Sequence, residues 1–182
     1  MLSEADPSGL LDRIWQALHQ ATVERQHAWR TPVLATVDRE GAPQARTVVL
    51  RHAAQSSATL HVYTDRRSPK VAQLAACPAG VLVFWCPALS WQLRVRAAFT
   101  ADDCSDCMQA VWSQVRHTRA AKDYLSAAAP GDPLPAVGRL TSTEPQLAVL
   151  IGRVESIDWL EIGRDTHRRA RFDHQGASWL TP

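Results

Sequence analysis

The chain contains no apolar run approaching the length of a membrane-spanning helix, and its first residues, Met1 to Pro7, are acidic where a signal peptide would be basic and then apolar. A cytosolic setting is the expectation. Cysteine is scarce: Cys77, Cys86, Cys104 and Cys107 are too few for a disulfide scaffold in 182 residues, so free thiols are expected. The Cys104-x-x-Cys107 pair has no second pair at zinc spacing and falls beside Met108, Val111 and Val115, so it reads as a helix core stripe. The histidines form no ligand motif, and no metal is expected. A formal net charge of +2 is too small to make nucleic acid or an anionic membrane the main partner. Trp85, Trp91 and Trp112 lie in apolar context, which also speaks against an exposed single-strand-binding face. Neither internal repeats nor low-complexity tracts occur.

What is present suffices for one core, since 46% of the residues are hydrophobic. The expectation is a single domain over 1–182, with a core region over 31–100, a helical insertion over 101–135 and strands over 136–182. Leu10, Leu11, Ile14, Trp15 and Leu18 recur at helical spacing behind a Ser8 cap. Pro32 to Val37, a turn at Asp38 to Gly41, and Pro43 to Arg51 read as a hairpin. Further strands are expected over Thr59 to Thr64, Gly80 to Trp85 and Trp91 to Thr100, with two segments around Gly152 between Leu147 and Leu160. His167 to Phe172 is a basic strand or turn. Ser68-Pro69 signals a helix start, followed by the stripe Val71, Leu74 and Ala75. So many strands in sequence favour closure into a barrel, which removes exposed edges.

Cations cluster at the ends of these strands. Strand alternation puts Arg46, Val48 and Leu50 on one side and Thr47, Val49 and Arg51 on the other. Arg46, Thr64, Ser68, Lys70 and the first-turn amides after Ser68 could together offer a phosphate charge-assisted donors from several directions. Gln92, in an otherwise apolar strand, has an amide that could pair with a heteroaromatic ring or simply face outward. Trp159 and Arg171 fit a core tryptophan and a surface arginine equally well.

The series Arg46-Thr47-Val48-Val49-Leu50-Arg51, Tyr63-Thr64, Ser68-Pro69-Lys70, Phe84-Trp85, Trp91-Gln92 and Arg171-Phe172 resembles the pyridoxamine 5′-phosphate oxidase family of FMN-binding split barrels, most closely over Thr31 to Thr100. The resemblance implies a mainly β, α+β fold: a six-stranded FMN-binding split β-barrel with peripheral helices, forming a homodimer with FMN at the subunit interface. It places Arg46, Thr47, Val48, Val49 and Arg51 along the flavin and its phosphate, with Arg51 where the family commonly has lysine. Tyr63 and Thr64 would contact phosphate and ribityl chain, and Ser68 and Lys70 the phosphate. Gln92 would bond the isoalloxazine, and Trp159 and Arg171 would reach in from the partner chain. His167 and Arg169 stand as substrate-binding candidates.

Two departures narrow the expectation. Pro69 stands where the oxidases have a phosphate-binding arginine, leaving Arg66 or Arg67 to supply that charge. The middle helix offers Trp112, Gln114, Arg116 and Thr118 in place of the family's pyridoxal-phosphate pattern. The expected function is therefore an FMN-binding oxidoreductase acting on an unidentified small molecule, with a non-catalytic flavin or haem binding or storage barrel as the alternative.

Overall fold

The computed structural model describes residues 7–102, 105–133, 141–163 and 166–182. Cys104, and the side chain of Cys107, lie outside what is described. Helix α1 (Ser8–Val23) begins with Pro7 in the capping position, so Ser8 is the first helical residue and not the cap. Its apolar face buries Leu10, Ile14, Trp15, Leu18 and Ala21. A single 3₁₀ turn, Ala28–Arg30, then sets Trp29 into the core, its amide donating to Nδ1 of His27.

Among the described residues nine antiparallel strands follow: β1 (Val33–Val37), β2 (Pro43–Thr47), β3 (Leu50–Ala54), β4 (Thr59–Asp65), β5 (Ala79–Cys86), β6 (Trp91–Asp102), β7 (Leu147–Glu161), β8 (Arg168–Asp173) and β9 (Gly176–Leu180). Helix α2 (Pro69–Ala76) lies between β4 and β5, and α3 (Ser105–Val115) with a 3₁₀ stretch, Arg119–Tyr124, between β6 and β7. The order is β2-β1-β5-β6-β7-β4-β3, with β8 on β7 and β9 on β8. The fold is a mainly β split barrel with peripheral helices. It has more than six strands for two reasons. The stretch from Pro43 to Arg51 is two strands instead of one, and the C-terminal residues form a hairpin. Conversely, Leu147–Glu161 is one continuous strand across Gly152.

β2 and β3 are consecutive in sequence yet stand at opposite ends of the strand order. Only Val48 and Val49 join them, so the chain crosses there from one edge of the sheet to the other. The Val48 amide donates to the Pro32 carbonyl (2.9 Å), holding the crossing against the start of β1. This is the seam of the barrel.

Inside, Leu34, Leu60, Leu82, Phe84, Leu93, Val95 and Leu150 pack with Trp29 and Trp159 in one cluster. Met108, Val111 and Trp112 of α3 pack on a smaller one formed by Val115, Tyr124 and Leu147. Phe99 is 1% exposed and its ring is wedged between two strand glycines. A Cβ added at Gly152 would sit 2.7 Å from its Cε1, and one at Gly80 2.9 Å from its Cε2. Gly152→Val is expected to lower stability by about 1–3 kcal/mol through overpacking, read from urea unfolding. Adding Phe99→Leu should recover part of the loss. Strictly additive effects would show that the ring is not what the glycine accommodates.

Candidate functional site

The seam decides where the cations go. The register of β3 against β4 shifts between Leu50 and His52, so Arg51 occupies a bulge, a local extra residue that re-aims a side chain. The alternation expected from an unbroken strand would have sent Arg46 and Arg51 to opposite faces. The strand break at Val48 and Val49 and this bulge overturn that, and both arginines line one cleft of about 300 Å³. Thr47, Val48, Val49, Tyr63, Thr64, Lys70 and Tyr124 line it with them, as do Pro130 and two carboxylates, Asp65 and Asp123.

Each cation is held by neutral groups. Arg46 donates through Nη1 to the Leu34 carbonyl (3.2 Å) and to Thr36 Oγ1, and through Nη2 to Gln73 Oε1 (2.9 Å). Thr36 Oγ1 in turn donates to that same Gln73 oxygen at 2.7 Å. Lys70 Nζ donates to Thr64 Oγ1 (3.0 Å) and Ser68 Oγ (3.1 Å), while the two hydroxyls lie 3.2 Å apart. Ser68 occupies the capping position of α2 with Pro69 first in the helix, but its hydroxyl makes no cap bond. It is buried and turned toward Thr64 and Lys70 instead.

Among the described residues neither Arg46 nor Lys70 has a carboxylate ion-pair partner. Burial lowers the Arg46 guanidinium below its usual value. Burial, then the Arg46 charge, depresses Lys70 below the ordinary lysine range, with Asp65 opposing. Arg51 has a buried Nε without a hydrogen-bond partner, and its Cζ lies 5.8 Å from the Tyr63 ring centroid. Burial raises both Tyr63 and Tyr124, against the pull of Arg51, so both phenols stay protonated. The arrangement offers cations and hydroxyls on one side and valine and tyrosine surfaces on the other.

The remaining sequence candidates lie elsewhere in the protomer. Arg67 is taken up by Asp65 (2.7 Å) and by the Ser126, Ala127 and Ala128 carbonyls, and Arg66 by Gln146. Neither replaces the arginine absent at Pro69. Trp159 is 0% exposed within the protomer, packed on Trp91 and Trp179 with Arg168 over its ring, so it is part of the protomer's core. Gln92, half-buried, faces outward with Arg94 and Arg96, opposite the inward Trp91, Leu93 and Val95. Cross-strand register aligns it with Leu160 and Arg169, and aligns Arg94 with Asp158 and Arg171. Arg169 is held by Asp158 through two bonds (2.7 and 3.1 Å), Arg171 by Asp173, and His167 is exposed. The sequence reading missed Thr36, Gln73 and Tyr124. Thr36 and Gln73 had a signal, polar side chains on inward positions, whereas Tyr124 is brought in by a 3₁₀ stretch with no pattern of its own.

Residues 12–102 match the family model described as pyridoxamine 5′-phosphate oxidase, FMN-binding domain, which is half of the chain. The chain belongs to this family. FMN is accordingly its cofactor. A pyridoxine/pyridoxamine 5′-phosphate oxidase from Anaeromyxobacter dehalogenans is 38% identical over 88 residues, 48% of this chain and 43% of that protein. The chain thus matches less than half of that relative's length. A pyridoxamine 5′-phosphate oxidase-related, FMN binding protein from Nostoc punctiforme superposes with a TM-score of 0.73 at 22% identity, covering 100% of both chains. PhzG from Burkholderia lata, solved with tetrahydrophenazine-1-carboxylic acid, gives 0.72 at 17% identity, covering 100% of this chain and 95% of its own. The donor set suits this family's cofactor. Among the described residues Arg46 and Lys70 form no ion pair, Asp65 being engaged by Arg67, and Arg51 has an orphaned guanidinium nitrogen, beside apolar walls for a flat body.

Lys70 gives this a pH signature in the ligand-free protein. Its folded pKa is lowered, so in the window up to the ordinary lysine value of 10.5 the unfolded chain binds more protons and stability rises with pH. Urea midpoints measured from neutral pH toward that value should therefore rise in the wild type relative to Lys70→Met. Parallel profiles would contradict the assigned desolvation.

Proposed function

We propose that the chain is an FMN-dependent oxidoreductase acting on an unidentified small molecule. The observation that carries this is the convergence of Arg46, Lys70, Thr64 and Arg51 on the seam of the barrel. In this reading Arg46, Lys70, Ser68 and Thr64 hold the phosphate, and Thr47, Val48, Val49 and Tyr63 line the ribityl chain and ring. When bound, FMN supplies the redox chemistry. Arg51 keeps positive charge beside the ring, which favours negative charge on it, and Arg46 and Lys70 fix its position. His167 is positioned at most to orient a substrate. Arg169 is committed to Asp158 and is a weaker candidate for that role. The whole of 1–182 is read as one domain, in a cytosolic setting that suits the free thiols Cys77 and Cys86.

The outer sheet face supports a homodimer. Leu34, Leu82 and Phe84 point inward, which leaves Val33, Val37 and Trp85 outside at 37%, 38% and 44% exposure, an apolar stripe that a second copy would cover. Gln92 stands opposite Trp85 at the border of that stripe, and Arg171 lies beyond it on β8. In the dimer we read these two as reaching the partner's flavin.

The alternative, a storage or haem barrel, has less behind it. No histidine, cysteine or methionine lines the cleft among the described residues, and its two tyrosines are held protonated, which disfavours a phenolate ligand to iron.

Three measurements test the proposal. Lys70→Met, which keeps the aliphatic stem, should weaken FMN about 10- to 100-fold, the worth of a charged hydrogen bond, and leave riboflavin affinity unchanged. Equal losses for both flavins would remove Lys70 from the phosphate site. Trp85→Glu should shift the protein toward monomer in sedimentation velocity and lower its FMN content together. An enzyme must reduce its bound flavin with a substrate in anaerobic turnover and re-oxidise it, whereas a storage protein would hold flavin without turnover across pyridine nucleotides and B6 vitamers.

A further inference from the structure

Four tryptophans from distant parts of the chain stand in file through the barrel core: Trp29 in the first 3₁₀ turn, Trp91 on β6, Trp159 on β7 and Trp179 on β9. Ring centroids are 6.3 Å apart from Trp29 to Trp91, 5.2 Å from Trp91 to Trp159 and 6.4 Å from Trp159 to Trp179, the last two pairs edge to face. These are the separations of aromatic rings in contact. Trp29, Trp91 and Trp159 are buried, whereas Trp179 is half-buried and gives the file its opening to solvent.

The four indole nitrogens are not equivalent. Trp91 donates its Nε1 proton to Glu161 Oε1 at 2.9 Å, from the position directly across the β6–β7 ladder. Arg168 holds the other oxygen of that carboxylate at 2.8 Å, and the Glu161 side chain stays partly exposed. The buried Nε1 atoms of Trp29, Trp159 and Trp179 have no hydrogen-bond partner among the described residues. Two rings carry a guanidinium over them: Arg13 Cζ lies 5.0 Å from the Trp91 centroid and Arg168 Cζ 5.5 Å from that of Trp159.

Electron transfer falls steeply with distance, so touching indoles exchange an electron faster than separated ones. An indole that has lost an electron is a far stronger acid at Nε1 than the intact ring. The missing electron, or hole, therefore settles where a base waits for that proton. A cation over a ring is drawn to its negative face and repels positive charge placed on it. Arg168 thus moves the hole off Trp159, and Arg13 favours loss of the proton at Trp91.

We propose that Trp179, Trp159 and Trp91 form a hole-transfer path that intercepts small one-electron oxidants of the radical class, with Glu161 as its proton acceptor. The oxidant takes one electron from Trp179 and is itself reduced by one electron. Trp159 then restores Trp179, and Trp91 restores Trp159. The Nε1–H bond of Trp91 breaks, and its proton forms an O–H bond on Glu161 Oε1. A neutral indolyl radical at Trp91 and an uncharged carboxyl at Glu161 remain. Trp29 touches Trp91 without a base of its own and hands any hole back. The path rests on these residues alone, so it stands or falls independently of the flavin cleft.

Pulse radiolysis of the protein as purified, in azide solution, tests this, because the azide radical oxidises indole by one electron. After the bimolecular oxidation, conversion of indole radical cation to neutral radical is followed by their distinct absorptions. In the wild type it should be unimolecular and faster than in N-acetyltryptophanamide at the same pH. Glu161→Gln keeps an oxygen for the Trp91 N–H but removes the negative charge, and should slow the conversion about 100-fold, the worth of a positioned base. Glu155→Gln, on the same strand, should leave it unchanged. In Trp91→Phe the fast phase should vanish. A wild-type conversion no faster than in the free amide, or an unchanged rate in Glu161→Gln, overturns the path, and the first of these comparisons needs no variant to fold.

Discussion

Holding Arg46 and Lys70 together in a partly buried place with no carboxylate in direct ion pair to either, among the described residues, is the constraint on which this structure turns. A desolvated cation is costly unless something neutral satisfies its protons. Here hydroxyls, an amide oxygen and a backbone carbonyl take that role, so Arg46 and Lys70 stay in place and keep their charge available. Asp65 could have quenched them, but both its oxygens are turned to Arg67. That carboxylate serves instead to tie the loop at Ser126 to Ala128 to the end of β4. The result is a cleft whose cations are ordered before any anion arrives, which reduces what binding must spend on reorganisation.

The barrel geometry follows from few local events. Two valines cross the seam, a bulge turns Arg51, and a second register shift, between Arg96 and Ala97, lets β6 follow β7 along nearly its whole length. β7 thereby serves β4 with its first half and β8 with its second. The irregularities, not the regular ladders, are what bring distant cations to one place.

This explains how far the sequence could be read. Helix α1, the hairpin of β1 and β2, and β4 to β6 were legible because alternation and helical spacing report burial directly. Pro69 marked α2 because only the first helical turn welcomes proline. Of the cleft residues, Arg46, Thr64 and Lys70 were legible as a donor set from residue type and spacing, and Thr47, Val48, Val49, Arg51 and Tyr63 only through family likeness, while simple alternation put Arg46 and Arg51 on opposite faces. A bulge or a two-residue break leaves no periodic trace, since it is one step out of phase in a pattern read over many. Trp159 was open between a core tryptophan and a contact implied by the family likeness, and within the protomer Trp91, Trp179 and the Arg168 guanidinium enclose it. Gln92 kept both readings because facing outward from one protomer does not say what faces it.

β1 and β5 divide their labour by a period of two. Leu34, Leu82 and Phe84 secure the interior, whereas Val33, Val37 and Trp85 contribute nothing to it. The outer set can therefore be rewritten without disturbing the inner set or the seam it supports.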